Sequence, residues 1–154
     1  MGDRFCEISM NGDVYLSYAS KLFTDNNANG IAYDKDTDTI WVLCEKDWLY
    51  HFSKNGSLID RYSFDYYAQD HITIRDGLIY ATVGADYNGE KNYIVVYDPI
   101  EHEVRKILRT LQCYAIEGIV IGDNNEVWIC NDGAYHNAKY KYSYIAKYIT
   151  DFCF

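Results

Sequence analysis

Apolar and polar residues alternate along most of this chain in short runs, each broken by turn-forming residues. Short apolar runs bounded by turn signals belong to β-strands. Thr39-Ile40-Trp41-Val42-Leu43, Leu78-Ile79-Tyr80-Ala81-Thr82 and Glu126-Val127-Trp128-Ile129-Cys130 are such runs, nearly continuous in apolar residues and rich in β-branched and aromatic ones. Asp34-Lys35-Asp36-Thr37-Asp38, Arg75-Asp76-Gly77 and Asp123-Asn124-Asn125 are turn signals beside them. No segment keeps a helical period, so the pattern predicts an all-β chain of antiparallel hairpins.

The runs recur as a unit. Gly30-Ile31-Ala32-Tyr33-Asp34 opens one, His71-Ile72-Thr73-Ile74-Arg75 the next and Gly118-Ile119-Val120-Ile121-Gly122 the third. Ile31 and Ile72 are 41 residues apart, and Ile72 and Ile119 are 47 apart. Four short strands recurring at about 40–50 residues describe the blade of a β-propeller. Residues 28–64 and 69–109 read as blades, and residues 115–150 as a blade with three strands. Ser9-Met10-Asn11-Gly12 repeats Ser53-Lys54-Asn55-Gly56, so residues 5–18 read as the last two strands of a preceding blade. Asn55-Gly56 is also a two-residue hairpin signal. The expectation is one domain over residues 1–154: a partial β-propeller of about three four-stranded antiparallel blades. A homodimer in which each copy completes the other's broken blade would make a six-bladed ring. A piece cut from a larger propeller, or an open assembly within a larger particle, fits the same pattern.

The strand pattern resembles a broad propeller group that includes NHL-repeat proteins, the SMP-30/gluconolactonase family and the SdiA-regulated family. Asn29-Gly30-Ile31-Ala32-Tyr33-Asp34 with Ile40-Trp41-Val42, and Glu117-Gly118-Ile119-Val120-Ile121 with Val127-Trp128-Ile129, carry the resemblance, which covers most of residues 28–150. The group includes hydrolases, binders and scaffolds, so it implies a fold more than an activity. In the lactonase family a Glu, Asn and Asp near the axis bind a divalent metal. Glu117 matches that Glu in local pattern, and Asn131-Asp132-Gly133 lies near where later ligands would fall.

Composition narrows the partners. The net charge is −9, from 14 basic and 23 acidic residues, which disfavours nucleic acid and anionic membrane surfaces. The 17 Tyr against a single Pro suit wet-edged strands. Neither a signal peptide nor a membrane-spanning run is evident, which points to a cytoplasmic or virion-associated protein. The five Cys have no Cys-x-x-Cys spacing, and Cys6, Cys44 and Cys130 fall in apolar runs, as buried reduced thiols do.

In a propeller the loops entering the first strand and those joining the second to the third share one face near the axis. The first set offers Asn29, Asp70, His71 and Glu117 at equivalent repeat positions. The second offers Glu45, Asp47 and Trp48, then Asp86 and Tyr87, then Asn131, Asp132, Tyr135 and His136. Carboxylates of Glu117, Asp132 and Asp70 converging on an axis would hold a divalent cation such as calcium, or would stand apart as wet loop polar groups with no cofactor. The long loop from Asn131 to Tyr142, rich in Tyr and Asn, has the composition of a recognition loop or of a self-packed insertion. Trp41, Tyr80 and Trp128 share one repeat position, which predicts blade-to-blade packing. His51 and His102 read as surface strand or turn residues. No Ser-His-Asp or Cys-His arrangement follows from spacing. Three functions fit: a non-enzymatic module binding a protein or glycan and assembling with other copies, as in a phage or host-interaction protein; a metal-dependent lactonase or esterase; and a purely structural subunit.

Overall fold

The computed structural model describes residues 4–19, 27–44, 48–66, 69–84, 92–110, 115–124, 126–133 and 143–149. They form strands β1 (Arg4–Ile8), β2 (Val14–Ala19), β3 (Ala28–Asp34), β4 (Thr39–Cys44), β5 (Trp48–Ser53), β6 (Leu58–Ser63) and β7 (Gln69–Arg75). They continue with β8 (Leu78–Val83), β9 (Tyr93–Asp98), β10 (Glu103–Arg109), β11 (Ile116–Ile121), β12 (Glu126–Asn131) and β13 (Tyr144–Ile149). Space follows sequence: β1-β2, β3-β4-β5-β6, β7-β8-β9-β10 and β11-β12-β13 are four antiparallel sheets. No helix among the described residues is long and apolar enough to cross a membrane.

The repeated Ser-x-Asn-Gly builds one loop twice. Ser53 N–H donates to Ser57 O at 2.9 Å and Gly56 N–H to Ser53 O at 2.9 Å; Ser9, Asp13 and Gly12 repeat this at 2.8 and 3.0 Å. Gly56 and Gly12 sit at φ 87° and 89°, where a side chain would strain the backbone. Asn-Gly therefore closes a three-residue loop beside a bulge at His51/Phe52 or Glu7/Ile8, where sequence spacing predicts a two-residue turn.

The sheets stack face to face. Trp41, Leu43 and Leu49 on the forward side of β3–β6 pack against Ile72, Ile79, Ala81, Val95 and Tyr97 on the next sheet. Tyr80, Ile94 and Val96 of that sheet pack in turn against Ile119, Val127 and Ile129 of the third. The innermost strands meet along the stack, β3 on β7 and β7 on β11. Gly30 sets the first approach: a Cβ there would lie 3.0 Å from Ile72 N and 3.2 Å from the backbone of His71.

The expected packing role of Trp41, Tyr80 and Trp128 is met only where a sheet follows. Trp41 is 4% exposed and Tyr80 0%, but Trp128 is 40% exposed. Cross-strand pairing puts Val120, Cys130, Ile145, Lys147 and Ile149 on the same face as Trp128, and all of these are exposed. Cys44 is buried as expected, whereas Cys6 and Cys130 are exposed; among the described residues no sheet stacks on the face that carries Cys130.

At the other end, Val42, Cys44, Tyr50 and Phe52 on the backward face of the first sheet are buried, while Ile31 and Tyr33 on its innermost strand are half exposed. Asp38 and then Glu7 hold the Lys54 ammonium above the usual lysine value. By repeat position the β1–β2 hairpin corresponds to the outer strands of a preceding blade.

Candidate functional site

Each innermost strand begins with a bulge, and the bulges fall on the residues singled out by the repeat. Pairing passes from Ala28↔Cys44 to Gly30↔Leu43, leaving Asn29 outside the ladder. It passes from Gln69↔Val83 to Ile72↔Ala81, leaving out Asp70 and His71, and from Ile116↔Asn131 to Gly118↔Cys130, leaving out Glu117. A bulge re-aims a side chain that a regular pleat would point into the stack. Asn29, Asp70, His71 and Glu117 are therefore delivered to one end of the molecule by one device used three times. The same end receives the last residues of β4, β8 and β12 and the first of β5, β9 and β13.

The bulges are stitched together. Asn29 Nδ2 donates to Gln69 O across the sheets at 3.0 Å. Gln69, fully buried, donates through Nε2 to Phe64 O at 2.8 Å and to Tyr66 O. The Thr82 hydroxyl accepts from His71 N–H at 3.0 Å, locking the widest bulge. Burial holds the His71 imidazole below the usual histidine value, so it stands neutral at pH 7. Buried Asn92 ties the second sheet to the third: its Oδ1 accepts from Ile116 N–H at 3.3 Å and its carbonyl from the Thr110 hydroxyl at 2.9 Å. Asn131 Oδ1 accepts from Gly133 N–H at 3.0 Å, and Asp132 accepts from the Ser143 hydroxyl at 2.7 Å. Gln69 and Asn92 carry this network, and sequence reasoning missed both, since neither recurs at its repeat position.

Among the described residues no three His, Cys, Asp or Glu side chains are grouped to hold a metal ion. Asp70 and Glu117 lie in the bulges of the second and third blades, and Asp132 is held by Ser143 beyond the end of β12. Trp48 is not a free stacking platform. It packs on the backward face of the first sheet, with the Arg61 guanidinium 4.3 Å from its ring centroid. Glu45, Asp47, Asp86, Tyr87, Tyr135 and His136 lie outside the described residues.

His51 departs from the surface reading, and His102 keeps it. His51 is half-buried between sheets and stacks on Trp41, while His102, an exposed turn residue at φ 58°, caps Tyr62 with ring centroids 4.6 Å apart. At the opposite end of the innermost strands, Arg75 bridges the second and third sheets by pairing with Asp123 at 2.9 Å, beside Asp76. Both partners are exposed, so the bridge contributes little to stability.

No protein-family model matches the sequence. No curated protein matches it. Solved structures do. A protein of unknown function from Bacteroides caccae aligns over 92% of this chain and 54% of its own, at 14% identity and a TM-score of 0.69. Sqt1 from Saccharomyces cerevisiae aligns over 96% of this chain and 39% of its own, at 8% identity and 0.54. BamB from Moraxella catarrhalis, a β-propeller, aligns over 80% of this chain and 36% of its own, at 10% identity and 0.53. The chain is a partial β-propeller. It spans about half the length of the first of these structures and less of the other two. The sheets described above are its blades, and the bulged end is one mouth of its axis.

Proposed function

We propose that the chain is a non-enzymatic binding and assembly module: a propeller segment that joins a second copy through its open third blade and receives a protein or glycan ligand at the bulged mouth. The observation that carries this reading is the contrast at one repeat position, where Trp41 and Tyr80 are covered by the next blade and Trp128 is not. Val120, Ile145 and Ile149 are exposed on this face around a Glu126–Lys147 ion pair that flanks the Trp128 ring, and an exposed patch of this kind marks an interaction site. The repeat specifies what fits it: another blade with an apolar backward face. A second copy offers one, since Ile31 and Tyr33 of the first blade are themselves exposed.

Two copies related by a two-fold axis satisfy both open ends at once. The seam then holds one strand too many. By repeat position β1 and β13 are both third strands of a blade, so one must yield to the other. At the mouth, Asn29, Asp70, His71 and Glu117 offer donors and acceptors of both kinds for hydroxyl-rich or peptide ligands.

Cys130 reports on assembly, because it lies on the open face and is exposed. Its alkylation rate, followed by peptide mass analysis, is expected to fall as protein concentration rises. A Cys130 rate independent of concentration contradicts the reading.

A further inference from the structure

The two blade-to-blade interfaces are built on the same plan, and one of them is missing its largest plug. By strand register Tyr62 of β6 corresponds to Leu108 of β10, since they pair with Leu49 and Ile94. Two residues on, Phe64 corresponds to Thr110. In the first interface Phe64 is buried with its ring edge-on to Tyr97, centroids 5.9 Å apart at 81°, and Tyr62 packs on Trp41. In the second interface the counterpart of Tyr97 is Tyr148, and Leu108 and Thr110 stand where the two aromatic residues stood.

The lost volume is open space. A cleft of about 380 Å³ lies between β10 and the third blade, with Leu108, Val127, Ile129 and Tyr148 among its walls. Lys106, Arg109 and Thr110 also line it. Filling such a site with an apolar ring recovers burial of the walls, worth roughly 25 cal/mol per Å² of apolar area. Tyr148 is placed to meet a ring edge-on, as Tyr97 meets Phe64. Lys106, on the same face of β10 as Leu108, favours an anionic substituent at the outer end.

We propose that this cleft is a binding site for a small aromatic carboxylate of one or two fused rings, whose ring takes the place that Phe64 occupies in the preceding interface and whose carboxylate faces Lys106. The site is separate from the mouth and from the third blade's open face, and it requires β13 to stay in the third blade, because Tyr148 is one of its walls.

The test is a titration of the protein with 2-naphthoate, followed by ligand fluorescence and by calorimetry, with 2-naphthalenemethanol as the uncharged probe. The expected dissociation constant for 2-naphthoate is in the range of about 0.1–1 mM, a modest affinity for a ligand of this size. Thr110→Phe, which restores the plug, is expected to weaken binding by at least about tenfold. Thr110→Val, which removes only the hydroxyl bonded to Asn92, is expected to weaken binding less than Thr110→Phe. Lys106→Gln is expected to erase the preference for the acid over the alcohol. If Thr110→Phe does not fold, Leu108→Tyr, which enters the same space from β10, gives the same reading. Failure of 2-naphthoate to bind at millimolar concentration overturns the proposal. Undiminished binding in a folded plugged variant overturns it too, as does binding of an aromatic peptide but not of the free acid.

Discussion

The His51 imidazole lies flat on the Trp41 indole, ring centroids 3.9 Å apart and planes 7° apart, with Nε2 2.8 Å from the Thr39 hydroxyl. A polar residue in an alternating strand has become part of the wall between the first two blades, and burial holds its pKa below the usual histidine value.

That burial makes the fold acid-sensitive in a defined window. The unfolded chain takes up a proton at about pH 6.5, before the folded one does. Stability is therefore full above that pH and falls as the pH drops below it. Buried His71 adds to the same slope. Denaturant midpoints measured from pH 7.5 to 5 are expected to fall, and His51→Phe, which keeps a ring on Trp41, is expected to flatten part of the fall. A slope unchanged in that variant contradicts the assignment.

At the alkaline end the relevant group is Tyr80. Burial pushes its hydroxyl up to about 12. The unfolded chain releases that proton near pH 10, so stability falls between about pH 10 and 12, by an amount on the order of 2–3 kcal/mol. Tyr80→Phe removes that contribution, and its alkaline unfolding midpoint is expected to lie above that of the wild type.

Gly30→Ala places a methyl group against backbone rather than against a flexible side chain. Blades one and two must then separate or shift, at a cost of about 1–3 kcal/mol. Thermal melting is expected to show the loss, while Gly118→Ala, whose Cβ would meet only the Cys130 side chain at 3.4 Å, is expected to be much milder.

Phe64→Thr reproduces in the first interface what the second has naturally. The ring is fully buried, so its loss is expected to cost about 3–5 kcal/mol by chemical denaturation. A loss below about 1 kcal/mol would mean that Tyr62 and Tyr66 close over the gap.

The fold was legible because it is repeated. Ile31, Ile72 and Ile119 fixed the period, and Ser-x-Asn-Gly betrayed the extra hairpin at the front. Asn29, Asp70 and Glu117 were legible for the same reason, as they share one place in the unit. What escaped was whatever the repeat does not carry. Gln69 and Asn92 are single polar residues whose neighbours come from other blades. His51 reads as surface from alternation alone, and only the arriving second blade buries it. Cys130 and Trp128 read as core from their own strand, and only the missing neighbour exposes them. The cleft beside Tyr148 became visible only after registers aligned Phe64 with Thr110.

The open third blade is tested most directly by molar mass in solution, measured by light scattering across a dilution series. The account predicts a mass of two chains at high concentration, with Trp128→Glu shifting the protein to one chain while its far-ultraviolet spectrum is kept. A folded wild-type protein that stays at the mass of one chain throughout the series would contradict it.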